Sequence, residues 1–588
     1  MAAPTQKTEL DTLARVRHAD HLIEQAMEEH DPHLLDEAVV LLRGVTAELP
    51  ADDPTRLAPM WSLKSALQVR FGVYAHPADL DDAVALLREL LAGTPAAHPA
   101  IVDARSDLAD TLFGRYREAG QQSDLVEAME LYENGLPELP PNHPARPGFL
   151  AGYAEALLAR CEAARDVAGL DQAIDVAGAA VESLTSGDPR LAGALCTLGL
   201  GLRQRFRARG RQADADQAVT MLREATASAM EGDPNRAGYL ANLGLALADR
   251  HSQSGNAPDL DQAVTALRQA VAGLPAESGE QHEASWCLAA VLRERWERDN
   301  QPADLDETIS AARTSIARGP SGHPGLAVRR WQLGDALFNR FELSEQRADL
   351  DEAVDMLRQA SVAAHRTGTP EPAAVNIRLA TMLAERYERY GAEPDITESL
   401  ELGQAAVAAT DAGHLELPGR VASLGYLLQT SSHRIGRDAD LDEAVALLRE
   451  AVRTPLRTPS VGTAPTDAPP AGATPASATP GGATPAGATP GETSGPAGGP
   501  ASQGNEAAKS DRSDADSAAA EQAGRNALTF RLGLAMTERF GRRGAIGDLD
   551  AALAAYRTLR ESTGPDNPLH QIAVSTYALL EQARAEED

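Results

Sequence analysis

Lysine is almost missing from this 588-residue chain: Lys7, Lys64 and Lys509 are the only three. None stands in a GxxxxGK[ST] run, which excludes the usual phosphate-binding loop of nucleotide hydrolases. Cysteine is also scarce. Cys161, Cys196 and Cys287 form no CxxC pair, so dithiol redox and zinc-knuckle motifs are excluded and reduced, buried thiols are expected. Aromatic residues make up only 4% of the chain. No apolar run reaches the roughly 18 residues a membrane span needs. Neither HExxH nor GxSxG occurs, which removes the familiar zinc-hydrolase and nucleophile-elbow signatures. The first residues, MAAPTQKTELDTLARV, lack the apolar stretch of a secretory signal, so a cytoplasmic location is expected. Acidic residues outnumber basic ones, 86 to 54, for a net charge of −32. That balance disfavours nucleic acid and anionic membranes as partners and favours basic peptides or proteins.

What the sequence does have is repetition. DLDDAVALLRELL (79–91), DLDEAVDMLRQAS (349–361) and DLDEAVALLREAV (440–452) are one pattern written three times. Its third letter falls at Asp36, Asp81, Val126, Asp171, Asp216, Asp261, Asp306, Asp351, Thr397, Asp442 and Asp550. The first seven steps are 45 residues each, the next two 46 and 45, and the last 108, one period plus 63. Self-similarity at such a period is the signature of a solenoid. Within each period the anchor stretch predicts an amphipathic helix B, with Leu80, Ala83, Val84, Leu87, Leu90 and Leu91 on one face. Asp79 with Asp82, Asp124 with Glu127, Asp259 with Gln262, Asp304 with Glu307, Asp349 with Glu352 and Asp440 with Glu443 have the spacing of a capping box, which predicts an N-cap at the first of each pair.

A second helix, A, precedes it. Leu63/Leu67/Phe71 recurs as Leu108/Leu112/Tyr116, Leu198/Leu202/Phe206 and onward to Leu532/Met536/Phe540, a spacing that holds one helical face. The residue after the first Leu is small in nearly every copy, as at Ala109, Gly199, Gly244, Gly334, Gly425 and Gly533, with Lys64 the departure. Repeated glycine inside a helix predicts close approach of a neighbouring helix. Pro-bearing turns such as GDPR (187–190), GDPN (232–235), GHPG (322–325) and DNP (566–568) separate the hairpins.

Paired helices with LG…L and A…L patterns and a Pro-bearing turn resemble tetratricopeptide (TPR) repeats, with 45 residues per repeat instead of 34. The longer form is similar to helical arrays of bacterial signalling proteins that carry a caspase-like CHAT protease domain. The resemblance covers roughly 9–453 and 525–588. The 38 residues after Asp550 are too few for that protease domain, so its activity is not expected here. The fold class expected is all-α, a right-handed α-solenoid of about ten antiparallel helical hairpins with one disordered insertion. Its parts are a repeat array over 1–453, a Pro/Ala/Gly/Thr-rich linker over 454–524, and a final repeat with a capping helix over 525–588. The linker enters between helix B (440–452) and helix A (525–543), and the last hairpin is expected to dock in register.

An Arg stands 11 residues before most anchors: Arg70, Arg115, Arg160, Arg205, Arg250, Arg295, Arg340, Arg386 and Arg539, with Ser431 the exception. A ladder kept by register is expected to serve the fold, with each cation complementing the end of helix A and open to pairing with an Asp of the DLD turn; the functional alternative is a groove that binds carboxylates or phosphates. His18 and His21, and His30 and His33, are each spaced for a shared metal ion, but an exposed capping helix accounts for them as well. The side chains that vary between copies, Tyr153, Tyr239, His251, Trp286 and Trp331, are the candidate partner-binding residues. The function expected is a non-catalytic scaffold or adaptor holding a peptide or protein, with regulation of a signalling effector as the sharper form. No cofactor, metal or catalytic residue is assigned. The alternatives are a metal-binding regulator using the N-terminal histidines and a purely structural oligomerisation module.

Overall fold

The computed structural model describes residues 6–453 and 505–587, apart from short breaks at 30, 51–52, 75, 95–99, 231, 277, 320–322, 324, 412–413, 415 and 566. His30 and positions 454–504 of the linker lie outside the described residues. Among those described there is no strand. Helices pair in order, A then B, and fall into two compact units, Met1–Ala276 and a second built from Glu277 onward.

In the first unit the pairs are α1/α2 (Gln6–Glu29, Pro32–Glu48), α3/α4 (Leu57–Tyr74, Pro77–Gly93), α5/α6 (Ala100–Ala119, Gln122–Gly135), α7/α8 (Arg146–Ala164, Gly169–Glu182), α9/α10 (Leu191–Arg209, Gln212–Ser228) and α11/α12 (Arg236–Ser254, Ala257–Gly273). The second holds α13/α14 (Gly279–Asp299, Pro302–Arg318), α15/α16 (Leu326–Ser344, Arg347–Thr367), α17/α18 (Pro372–Tyr390, Glu393–Ala408), α19/α20 (Leu417–Ile435, Asp438–Arg453) and α21/α22 (Asn505–Arg543, Ile546–Ser562), and closes with α23 (Pro568–Glu587). Among the described residues this makes eleven TPR-like hairpins and one further helix. The helix-B stripe is the core as expected: Leu80, Ala83, Val84, Leu87 and Leu90 are all buried.

The glycine column has the cause the sequence suggested. A methyl group on Gly199 would lie 2.7 Å from Leu222 Cγ, and one on Gly244 2.6 Å from Leu267 Cγ. Leu357, Leu448 and Tyr556 crowd Gly334, Gly425 and Gly533 in the same way. The crowding residue is always six past the anchor. Where helix A carries Ala instead, at 154, 289 and 380, the register puts Ala177, Ala312 and Gly403 opposite. Helix A therefore makes room where helix B is bulky, which keeps interior volume constant across the stack. Ala19 opposite Leu42, Lys64 opposite Leu87 and Ala109 opposite Tyr132 depart from this; the Tyr132 ring reaches Asp110 and the space left by Gly152, whose added Cβ would lie 2.5 Å from the phenol oxygen.

The capping-box expectation is corrected. Helix α4 begins at Pro77 with His76 as N-cap, and α14 at Pro302 with Gln301 as N-cap, so Asp79 and Asp304 already lie inside the first turn. There they favour the helix dipole, but their side chains point elsewhere. Arg70 donates to both oxygens of Asp79, at 3.0 and 2.5 Å, and to Asp36 of the preceding hairpin at 3.1 Å. Arg115, Arg205, Arg250, Arg340, Arg386 and Arg539 each repeat this fork onto the Asp of their own DLD turn and the anchor Asp before it. The second box residue is redirected too. Glu352 accepts from Arg313 at 2.9 Å, Gln262 from Arg223 at 2.5 Å and Glu398 from Arg358 at 3.1 Å, each an Arg on helix B of the previous hairpin. The polar letters of DLDE thus bind helix to helix and hairpin to hairpin. Bidentate geometry and near-complete burial of the DLD-turn Asp make the pairs strong relative to surface ion pairs.

One more column ends helix A. Six residues before the anchor the backbone turns left-handed, at Gly210, Gly255, Gly391, Gly436 and Gly544, and at Arg165, Asn300 and Glu345 with φ of 51°, 51° and 54°. The residue donates back to the last turn, as Gly210 N–H does to Phe206 O at 2.6 Å.

The last hairpin docks in register across the insertion: Arg539 reaches Asp442 at 3.2 Å, and Arg543 reaches it at 3.0 Å. Its first helix begins at Asn505, not at 525. From Asn505 to Ala523 there is neither Pro nor Gly, and Ala recurs through an otherwise polar run, which favours helix. The ladder also continues into α23, where Arg584 meets Asp550 at 2.9 Å.

Candidate functional site

In each unit the A helices carry side chains that vary from copy to copy. Where helices two apart in sequence make substantial contact they are odd-numbered: α1 with α3, α5 with α7, α7 with α9 and α9 with α11 in the first unit, α17 with α19 and α19 with α21 in the second. The A helices are therefore the inner row of each stack. Polar side chains cross between neighbours along this row. Lys64 meets Asp107 at 2.8 Å, Gln68 meets Thr111 at 3.0 Å, and Arg203 meets Asp249 at 2.5 Å. In the second unit Arg378 meets Asp335 at 2.6 Å, and Tyr426 and Thr430 both donate to Glu388, at 3.0 and 2.9 Å.

Acid concentrates at α5 and α7. Asp103, Asp107 and Asp110 share one face of α5, and Glu155 of α7 stands beside Asp110. Burial, then the neighbouring Asp107 and Glu155 charges, push the Asp110 carboxyl up to about 7 despite the hydrogen bond from Tyr132. Burial also raises Asp103, with Asp107 adding to it. Glu155 and Glu162 are raised by burial, against the pull of nearby arginines. Asp103, Asp107 and Asp110 of α5 with Glu155 of α7 form an acidic patch in which Lys64 already pairs with Asp107 and which a further cation would relieve.

The five candidate partner-binding residues are not gathered. Tyr153, Tyr239 and Trp286 are inside the helix layers, at 6, 9 and 3% exposure. Tyr153 accepts from Gln172 Nε2 at 3.3 Å and packs on Tyr132. Trp286 lies under the Arg329 guanidinium, 5.5 Å from the ring centre. His251 turns its Nδ1 to Asn256 O at 2.8 Å and closes the A–B turn. Trp331 is part-exposed on α15. Variation between copies marked these positions, but burial depends on how each helix meets its neighbours.

The thiols are where register put them for Cys161 and Cys196, both buried, while Cys287 is part-exposed. Burial lifts Cys196 to about 12, with Asn242 Nδ2 donating to Sγ at 3.4 Å, so it is no nucleophile at neutral pH.

His18, His21 and His33 are exposed on α1 and α2. A different trio meets instead: His282 and Glu283 at the start of α13, and His323 in the turn before α15, with ligand-type atoms within 4.8 Å of one another. His282 Nε2 is 3.0 Å and His323 Nε2 3.1 Å from Glu283 Oε1. Two features compete with a cation there. Arg329, itself buried, donates to the same oxygen. Gly325 N–H donates to His323 Nδ1 at 3.0 Å, which assigns the ring proton to Nε2. The same turn bond recurs at His143 and His414, so His323 is first a turn residue. Burial lowers both imidazoles.

Two shallow depressions complete the surface. One is lined by Arg43, Leu63, Leu67, Asp82, Ala85 and Glu89, the other by Arg223, Leu243, Leu247, Gln262, Thr265 and Gln269. The two sets differ by 180 residues throughout, four periods. They are a property of the repeat. No helix among the described residues is long and apolar enough to cross a membrane.

No family model matches the chain. No curated protein matches it either. Solved structures resemble it in part. A thermophilic TPR protein of Thermus thermophilus is 19% identical over 40% of this chain and 99% of its own, with a TM-score of 0.28. The C-terminal part of a TPR repeat-containing protein from Cytophaga hutchinsonii is 11% identical over 54% and 99%, with a TM-score of 0.35. A Rap protein complexed with Competence and Sporulation Factor is 14% identical over 65% and 99%, with a TM-score of 0.35. At these values the likeness is one of helical-repeat fold alone.

Proposed function

We propose that this chain is a non-catalytic binding array that holds a basic peptide or protein segment along the inner row of its first unit. The observation that carries the reading is the raised set Asp103, Asp110 and Glu155 on α5 and α7. A Lys or Arg from a partner adds positive charge to a face where Lys64 alone pairs with Asp107, and so favours the ionised form that burial opposes at these carboxyls. The net charge of −32 steers such a partner toward the array. In the second unit the exposed edge of Trp331, beside the Arg378–Asp335 pair, is a further proposed contact. The resemblance to CHAT-associated arrays makes a signalling effector, on a separate chain, the partner class to test first.

Fluorescence anisotropy with labelled Arg/Lys-rich peptides tests the reading. Asp110→Asn with Glu155→Gln weakens binding at least tenfold. Affinity also falls as pH drops from 8 to 6, because Asp110 takes up its proton near 7. Basic peptides that bind no tighter than neutral ones, or a double variant that binds as well as the natural chain, refute it.

A further inference from the structure

The arginine ladder breaks at one hairpin junction, and the break leaves a charge without partners. Eight arginines of the column hold the DLD-turn Asp of their own hairpin, as Arg70 holds Asp79 and Arg295 holds Asp304. Arg160, the ninth, has neither carboxylate. The turn position that should supply one is Gly169, and the anchor before it is Val126. Among the described residues no ion pair or hydrogen bond joins Arg160 to an acid. The chain cannot repair this at 169: a Cβ there would meet Asp166 Oδ2 at 2.7 Å and Cys161 Sγ at 2.8 Å. Asp166 is itself committed, capping α8 through Ala168 N–H at 3.0 Å and Gly169 N–H at 3.1 Å. Helix α8 accordingly starts two residues later than its counterparts.

Compare the departure at Ser431. Ser431 replaces the arginine, the preceding anchor is Thr397, and Ser431 Oγ donates to Asp440 at 2.6 Å. There the cation and one carboxylate were lost together, and the remaining carboxylate, Asp440, keeps the Ser431 hydroxyl as its partner. At Arg160 both acids are gone and the cation stays. The surface around it also changes character. Val126 and Val167 are 49% and 40% exposed, and Glu133 takes the helix-B position at which Arg43, Arg88 and Arg223 hold the next hairpin.

We infer that Arg160, with Val126 at the register position of the missing anchor carboxylate, is a docking point for an acidic partner segment, which presents to it the carboxylates that every sibling arginine receives from the array itself. The ligand class is set by the vacancy. A guanidinium in the ladder geometry binds a carboxylate in a two-point fork, and the two exposed valines take an apolar neighbour of that acid. This surface is distinct from the acidic inner row of α5 and α7, and its ligand has the opposite charge.

The probe is the synthetic peptide DLDEAVALLREAV, which carries the two carboxylates in their native spacing, with its counterpart NLNEAVALLREAV as control. Binding to the full-length chain is read by anisotropy. The acidic peptide binds, and the Asn peptide binds at least tenfold more weakly. Arg160→Gln abolishes the difference between them. Val126→Asp refills the slot from within, as Asp81 does for Arg115 at 2.8 Å; it raises the melting temperature and weakens the acidic peptide at least tenfold. Neither change alters binding of basic peptides. Failure of the natural chain to prefer the acidic peptide overturns the inference, as does a Val126→Asp chain that binds it undiminished.

Discussion

Gly199 has no room for a methyl group. Its missing Cβ would sit 2.7 Å from Leu222 Cγ and 3.4 Å from the Ala218 carbonyl oxygen, so neither side chain nor backbone can yield freely. Gly199→Ala is expected to destabilise the chain by about 1–3 kcal/mol through overpacking, although alanine is the better helix former. Adding Leu222→Ala should recover part of that loss, because the pair then copies the Ala154/Ala177 arrangement. Chemical denaturation of the two variants measures it. A Gly199→Ala chain more stable than the natural one would mean the helices are farther apart than 2.7 Å implies.

Eight of the B helices are held by an Arg–Asp ion pair placed at their first turn. Arg205 forks onto Asp214 at 3.0 and 2.7 Å, and Asp214 is buried. Arg205→Gln leaves that carboxylate buried without its counter-charge, and a loss of about 3 kcal/mol is expected by denaturant titration. At Asp259 burial opposes ionisation, but the Arg250 fork outweighs it and holds the carboxyl below its usual value. That contribution is present above pH 3.8 and lost as pH falls further. The His282–Glu283–His323 cluster acts in a higher window. Burial lowers both imidazoles, Arg329 lowers them further, and only Glu283 pulls the other way. Folding therefore favours their neutral forms: stability is full above pH 6.5 and declines as pH falls below it. His282→Leu should flatten this dependence between about pH 7.5 and 5. An unchanged slope in thermal melts across that range would remove the cluster as its source.

On the scale of the whole chain, the insertion is a detail of connection. Arg539 and Arg543 reach Asp442 over 97 and 101 residues of sequence, as Arg70 reaches Asp36 over 34 and Arg209 reaches Asp171 over 38. Deleting 465–494 is expected to change stability by no more than about 1 kcal/mol, in the stabilising direction, because a shorter closed loop loses less entropy on folding. Calorimetry of that deletion checks it. A large loss would mean that the removed segment contributes contacts of its own.

Much of this architecture was legible in the letters. The 45-residue period, the two helices in each copy, the small column facing a neighbour and the pairing of Arg with the DLD turn all follow from spacing within one hairpin, because about 3.6 residues per turn fix which side chains share a face. The capping box was misread for the same reason. Asp79 and Asp82 have the right spacing, but spacing does not say that Arg70 and Arg43 stand close enough to claim them. The burial of Tyr153 and Trp286, the crowded acids of α5 and α7, and the meeting of His282 with His323 were likewise invisible. Each depends on how successive helices and hairpins pack against one another, across tens of residues of sequence. Letter spacing is enough to define the repeating unit and its internal partners. Which side chains come to face inward together is set by the packing of hairpin on hairpin, because stacking chooses a contact surface that no single helix carries.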